Sequence, residues 1–287
     1  MNRKTVVLAA LYFFTTAAYS FAQAFPAAGD RKDCKPGLED ATKECPDGCC
    51  HYILWEIVSC ADPVSLWQAP PGCQSRLPAP AKICPTIKFQ DKSDAHAVVV
   101  NDSKMNACAN PEFVHTLTIP RNRVCGVEDP DRLTEAAGAW EVAWKAGVRL
   151  IPEVENIGLV VNSPLQRTQN QLHIHTVRLK PAVPGGGESA RRRLEAEGPV
   201  RVDRLDQVWH AAQIHASAHG RSGGYGIVVM LDDSSTSAES GSAWLVTSTD
   251  GSQGVGAADD RSPEARYTCF RCDTCPSSGR EAARPRP

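Results

Sequence analysis

The sequence predicts a compact α+β domain, and three observations carry that expectation. Short apolar runs rich in valine recur between residues 95 and 161, each of strand length. Two longer stretches, Asp131–Ala146 and Asp203–Ala218, repeat apolar residues at helical spacing. From Gln171 the chain alternates polar and apolar residues, which is the period of a strand with two unlike faces.

Taken in order, the elements begin with an N-terminal leader. Asn2-Arg3-Lys4 is basic, Thr5 to Tyr19 is apolar, and Ala22-Gln23-Ala24 has the small-x-small form of a signal-peptidase site. Residues 1–24 therefore read as a secretory signal cleaved before Phe25, with an uncleaved membrane anchor as the alternative. Residues 25–48 form a Gly-, Pro- and charge-rich lead-in containing cysteines. A short helix is expected over Cys50–Ser59, where Leu54, Ile57 and Val58 recur at helical spacing, and Pro70-Pro71-Gly72 then breaks the chain.

The main domain is expected over 49–250. Ala95–Val100 reads as a buried strand. Phe113–Ile119 reads as another, with Phe113, His115, Leu117 and Ile119 on one face. The helix over Asp131–Ala146 places Leu133, Ala136, Ala137, Trp140 and Trp144 in one apolar stripe, so both tryptophans are assigned to the core. Ile157–Val161 is a strand, and a polar loop from Asn162 to Asn170 leads to the alternating segment. Pro181–Gly198 reads as a break in which Arg191-Arg192-Arg193 is a solvated run. The second helix turns Leu205, Val208, Trp209 and Ala212 inward. Gly224–Leu231 and Ala243–Thr247 are strands joined by a Ser/Asp/Gly loop suited to a hairpin. Residues 251–287 read as a cysteine-containing tail, disordered from Pro276 onward.

Charge and cysteine content exclude some functions. Without Arg3 and Lys4, the 31 basic residues become 29 against 33 acidic ones. That balance argues against nucleic acid as a partner, because phosphate neutralisation needs a basic face. The 12 cysteines, in an exported chain, read as disulfides. Cys269, Cys272 and Cys275 lack a fourth ligand at zinc-site spacing, so they are expected to staple the tail to the cysteine-rich N-terminal region rather than bind metal.

The segment Gln171-Leu172-His173-Ile174-His175 concentrates the chemistry. Alternation points Gln171, His173 and His175 to one face. Three readings stand. Two imidazoles could share a metal ion, with His210, His215 or His219 folding back as a third ligand. They could be structural edge-strand residues. Or one could attack phosphorus as a neutral imidazole of defined tautomer. That third reading needs donors around the non-bridging oxygens, where charge builds in the transition state. Asn162, Arg167, Thr168, Gln169 and Gln171 supply them within a few residues, which favours catalysis.

The stretch Ile157 to Pro181, IGLVVNSPLQRTQNQLHIHTVRLKP, resembles the signature of bacterial CDP-diacylglycerol pyrophosphatases, which belong to the histidine-triad superfamily. Leu54-Trp55-Glu56-Ile57-Val58, Gly126-Val127-Glu128, Ala136–Trp144 and Gly224–Val229 extend the resemblance more weakly. It implies a histidine-triad-like fold, an antiparallel sheet with flanking helices. His173 takes the place of the nucleophile and His175 that of the next histidine, which positions the phosphate or the nucleophile. Gln171 stands where many histidine-triad proteins have their first histidine, and Asn162 and Thr168 lie where superfamily members place polar groups near ribose and phosphate.

The implied reaction splits CDP-diacylglycerol to CMP and phosphatidate through a cytidylyl-histidine, with no metal and no cofactor. The implied partner is that lipid nucleotide at a membrane surface, in a periplasmic or extracellular location. Two alternatives are motivated by the short segment between Pro181 and Gly224 and by the extra cysteines. One is the same chemistry on a soluble nucleoside diphosphate ester, and the other is a non-catalytic secreted nucleotide-binding module. The sequence leaves the oligomeric state open.

Overall fold

The structure is a computed structural model, and it describes residues 53–61, 84–122, 124–164, 166–167, 169, 171–181, 189–221, 224–232, 242–250, 262–269 and 272. The signal segment, the lead-in, the loop at 233–241 and the tail beyond 272 lie outside the described residues.

The described helices are α1 (Ile53–Ala61), α2 (Ser103–Ala107), α3 (Pro130–Leu133), α4 (Ala137–Leu150), α5 (Ala190–Ala196), α6 (Val208–Ala218) and α7 (Pro263–Tyr267). The strands are β1 (Phe89–Asp91), β2 (Ala97–Asn101), β3 (His115–Pro120), β4 (Ile157–Val161), β5 (Ile174–Arg178), β6 (Val200–Val202), β7 (Tyr225–Leu231) and β8 (Trp244–Asp250). They form one eight-stranded sheet in the order β1-β2-β3-β5-β4-β7-β8-β6. Every neighbouring pair is antiparallel. The expected α+β class is thus the observed one, and β7 and β8 pair directly as the hairpin signal implied. No described helix is long and apolar enough to cross a membrane.

One face of the sheet carries the larger core. Ala97 and Val99 of β2, Ile157, Leu159 and Val161 of β4, Ile174 of β5, and Ile227 and Val229 of β7 project toward α4 and α6. Trp140 of α4 stacks obliquely on Trp209 of α6 with ring centroids 4.8 Å apart, joining the two helices over the sheet. At about 1.5–3 kcal/mol for each large apolar side chain buried, this layer dominates the stabilising side of folding. Gly147 lets α4 lie close to the sheet, since a Cβ there would meet Ile157 Cγ2 at 2.8 Å and Thr176 Cγ2 at 3.1 Å. Trp144 is only partly buried and meets Trp244 edge-on at 5.8 Å.

Among the described residues, the opposite face carries two larger apolar clusters. At one end Leu54, Ile57 and Val58 of α1 pack on Val98, Val100, Leu117 and Ile119, and the Cys60–Cys84 disulfide fastens α1 to the 3-10 turn Cys84–Thr86 ahead of β1. At the other end Ala190 and Leu194 of α5 and Tyr267 of α7 cover Val160, Val177, Leu179, Val228 and Met230. The tail joins the sheet here: Lys180 N–H donates to the Tyr267 carbonyl at 3.0 Å, and Cys269 N–H to that of Arg178 at 2.9 Å.

Several expectations need correction. The helix expected over Asp131–Ala146 is split by a 3-10 turn at Thr134–Ala136, although Leu133, Ala136 and Trp140 are buried as expected. The arginine run is helical, not a solvated loop. Ser189 caps α5 by accepting from Arg192 N–H at 3.3 Å, Ala190 and Leu194 face the core, and Arg191 donates to the carbonyls of Leu231 and Glu155. Three apolar residues among seven, only two of them buried, were too few to register as a helical stripe. Cys272 pairs with Cys108, which staples that part of the tail to the loop before β3 instead of to the N-terminal region; Cys125 and Cys269 are also disulfide-bonded, and Cys275 lies outside the described residues.

His215 of α6 sits in a buried polar cluster rather than a metal site. Its Nδ1 accepts from Ser248 N–H at 3.1 Å, so its proton lies on Nε2, which donates to the Glu197 carbonyl at 3.1 Å. The Glu197 carboxylate accepts from Tyr267 Oη at 2.6 Å and from Arg221 at 3.3 Å. Burial, opposed in part by the bond to the Glu197 carbonyl, holds the imidazole below its ordinary 6.5, and His219 and Arg221 push the same way. Burial also pushes the Tyr267 phenol up to about 12.

The folded chain therefore keeps His215 neutral at pH values where the unfolded chain binds a proton. Its contribution to stability is whole above pH 6.5 and declines as the pH falls below it. Thermal unfolding followed between pH 7.5 and 5.5 should show a falling midpoint. His215→Gln should have a lower midpoint and a flatter profile, and an unchanged slope would remove His215 as the cause.

Candidate active site

The gap between the two apolar clusters is where the histidines lie. Leu117 of β3, His175 of β5 and Val160 of β4 are mutual partners across the ladders and so share a face. His115 and His173, each two residues from a member of that row, point to the same side. Asn162 continues the same parity just past β4. The site thus occupies the face opposite α4 and α6, and these groups are held by strands and strand ends.

Gln171 and His173 precede β5, which begins at Ile174, so the alternating pattern starts before the ladder does. The reason is local: Leu172 N–H donates to the Val124 carbonyl at 2.8 Å, docking this segment on the chain after β3. Gln171 Nε2 donates to the Asn122 carbonyl at 3.2 Å. Its own carbonyl lies 2.7 Å from His173 Nδ1. A carbonyl can only accept, so Nδ1 carries the proton and the lone pair of a neutral His173 resides on Nε2.

His175 stands between two partners. Asn162 Nδ2 lies 3.3 Å from its Nε2, and His115 Nε2 lies 2.9 Å from its Nδ1. Because an amide nitrogen donates, Nε2 of His175 accepts and Nδ1 bears the proton given to His115. The His175 ring meets that of His173 edge-on at 4.8 Å and that of His115 at 5.2 Å, while Phe113 closes the far side, 6.0 Å from His115. All three histidines and Asn162 are buried.

The remaining sequence candidates divide. Arg167 is buried, and its guanidinium forks onto the Glu128 carboxylate, Nη1 to Oε2 at 2.8 Å and Nη2 to Oε1. Gln169 is half-buried in the loop, and Thr168 lies outside the described residues. Ser163, which sequence reading left without a role, accepts from Gln166 and Arg167 N–H at its carbonyl and starts the turn. Among the described residues, no group of three or more His, Cys, Asp or Glu side chains converges in a way that would hold a metal ion. A cleft of about 550 Å³ between β6 and α6 opens on the other side of the sheet, beside Arg204 and His210.

His115 and Glu128 are the residues sequence reading missed. His115 was recognised only as one member of a strand face. Its 60-residue separation from His175 hides the pairing, and a histidine amid the apolar row Phe113, Leu117 and Ile119 was the available signal. Glu128 was marked only as part of the Gly126-Val127-Glu128 resemblance, and its 39-residue separation from Arg167 hid the pairing.

The family model for CDP-diacylglycerol pyrophosphatase matches residues 53–197, about half of the 287-residue chain. The chain belongs to the CDP-diacylglycerol pyrophosphatase family. That membership places it among hydrolases acting on the pyrophosphate of CDP-diacylglycerol. The matched span runs from α1 to the end of α5 and holds His115, Glu128, Asn162, Arg167, His173 and His175 together. No curated protein matches the sequence.

In this pyrophosphatase-family site, truncating His115 leaves His175 Nδ1 without its acceptor in a buried setting, a loss of about 1–3 kcal/mol. His115→Ala should therefore lower kcat/KM for nucleotide release by about 10- to 100-fold with the fold retained by circular dichroism. A value within twofold of the parent would show that the pairing is packing alone.

Proposed function

We propose that the chain hydrolyses CDP-diacylglycerol to CMP and phosphatidate through a cytidylyl intermediate on His173. The observation that carries this reading is the 2.7 Å contact between His173 Nδ1 and the Gln171 carbonyl, which leaves Nε2 with an unprotonated lone pair. A nucleophile must present a lone pair without first losing a proton, and this backbone contact secures that condition.

In the first step the Nε2 lone pair forms a bond to the cytidylyl phosphorus. The bond from that phosphorus to the bridging oxygen breaks, and phosphatidate leaves with the electron pair. In the second step a water oxygen attacks the same phosphorus, the P–N bond breaks, and its electrons return to Nε2. The water's hydroxyl ends on CMP and its proton passes to solvent or to the phosphatidate. His175, with its tautomer set by Asn162 and His115, orients the neighbouring imidazole and phosphate. Gln169 and the second amide hydrogen of Gln171 are read as donors to the non-bridging oxygens, whose growing charge needs them. Arg167, read from the sequence as a further donor, is paired with Glu128.

The histidine-triad-like arrangement and the exported location belong to the same reading. A lipid nucleotide is met at a membrane surface, and the leader read at 1–24 would deliver the protein to the periplasmic or extracellular side of one.

CMP release from CDP-diacylglycerol in detergent micelles, with the chain from Phe25, tests the proposal. His173→Ala should lose at least about 1,000-fold in kcat, since removal of a covalent nucleophile leaves only binding and electrostatic assistance. Rapid acid quench of the parent should trap a cytidylyl group on the protein that the variant does not carry. Turnover by His173→Ala near the parent rate would end the assignment. Release from soluble CDP esters but not from the lipid would move the substrate and keep the chemistry.

A further inference from the structure

The loop that carries the proposed phosphate donors includes an ion pair, Arg167 with Glu128, whose arginine is buried and whose glutamate is partly open to solvent. Arg167 lies midway between Asn162, which touches His175, and Gln171, whose carbonyl holds His173. Its side chain is 4 % exposed and that of Glu128 is 37 % exposed. Glu128 accepts from both Nη atoms, the same two-nitrogen fork with which an arginine grips a phosphate. The third nitrogen, Nε, is buried with no hydrogen-bond partner among the described residues. The fork is therefore already spent on a carboxylate of this chain, and the remaining donor faces away from solvent.

The surroundings are shaped for that pairing. A Cβ on Gly126 would fall 1.8 Å from Arg167 Nη1 and 2.5 Å from Glu128 Oε2, so the guanidinium occupies the space a side chain would need. The same stretch after β3 receives Leu172 N–H at Val124 and Gln171 Nε2 at Asn122. Three contacts thus bind the loop to residues 122–128: one backbone bond, one side-chain bond and one ion pair. Val124 and Val127 anchor that stretch in the larger core. Glu128 leaves one side of the pair open to solvent, so losing the pair costs less than losing a fully buried one.

We infer that Glu128 is a positioning residue for the hydrolysis, acting through Arg167 to hold the 162–171 loop against His173, and that Arg167 serves as the loop's anchor rather than as a ligand to the substrate phosphates. The inference rests on the reading of His173 as the nucleophile.

A charge exchange separates the two roles of Arg167. CMP release from CDP-diacylglycerol micelles would be measured for the parent, Glu128→Arg, Arg167→Glu, the doubly exchanged chain, Glu128→Gln and His173→Ala, each with its thermal midpoint. The anchor role predicts that each single exchange lowers kcat at least about 10-fold, and that the double exchange returns to within about threefold of the parent because the pair is restored. A phosphate ligand cannot be moved to the other side of the pair, so a double exchange as inactive as Arg167→Glu overturns the inference.

Should the exchanged chains fail to fold, Glu128→Gln decides. A drop of about 10-fold in kcat, with KM within twofold and the thermal midpoint retained, supports positioning. Parent-like kcat, a rise confined to KM, or a loss matched by a fallen midpoint overturns it. Full activity of His173→Ala would fell the nucleophile reading separately, and the exchange would still report whether the pair governs turnover.

Discussion

Alternation along an antiparallel ladder governs where chemistry is possible in this protein. Residues opposite one another share a face, and neighbours along a strand do not. Because α4 and α6 cover one face of the sheet almost from end to end, that face is committed to packing. Polar groups of the central strands that are to meet a ligand must emerge on the other. There, α1 covers one end and α5 with α7 the other, and the row His115, His175, His173 lies between the two apolar clusters. The architecture leaves a polar strip at the middle of the sheet, where strands on both sides hold the backbone most firmly.

Burial then decides the state of each histidine. An unmatched polar atom away from water costs about 1–3 kcal/mol, so the partner on a ring nitrogen selects the tautomer of a buried imidazole. Asn162 and His115 settle His175, and the Gln171 carbonyl settles His173 Nδ1. The same accounting at His215 gives the opposite tautomer, with Nδ1 accepting from Ser248 and Nε2 donating to Glu197. One buried histidine system joins α6, β8 and the end of α5 into a scaffold. The other lies on the polar strip between the two apolar clusters. Residue type alone does not distinguish them; the partner on each nitrogen does.

The α1, α4 and α6 helices, most strands and the cluster around His173 were legible because each writes its signal within about ten residues. Leu133, Trp140 and Trp209 fall on an apolar stripe, and Ile157–Val161 is continuous and branched. The short elements were not legible. β1 and β6 have three residues each, too few for a period, and both owe their conformation to a longer neighbour in the ladder. In α5 the arginines masked two apolar anchors. The Cys108–Cys272 pair spans 164 residues, and spacing carries no information about such connectivity.

By itself the sequence determined the α+β class, the face shared by His173 and His175, and the concentration of hydrogen-bond donors beside them, since all three follow from periodicity and composition over short windows. Only the tertiary structure decided that His115 completes the histidine row, that Arg167 spends its charge on Glu128, and that His173 keeps its lone pair on Nε2. Each of these is a contact between groups brought together by strand order or by a loop docking on a distant segment. Such contacts depend on which strands become neighbours, and that is settled by burying the apolar faces of the whole chain at once.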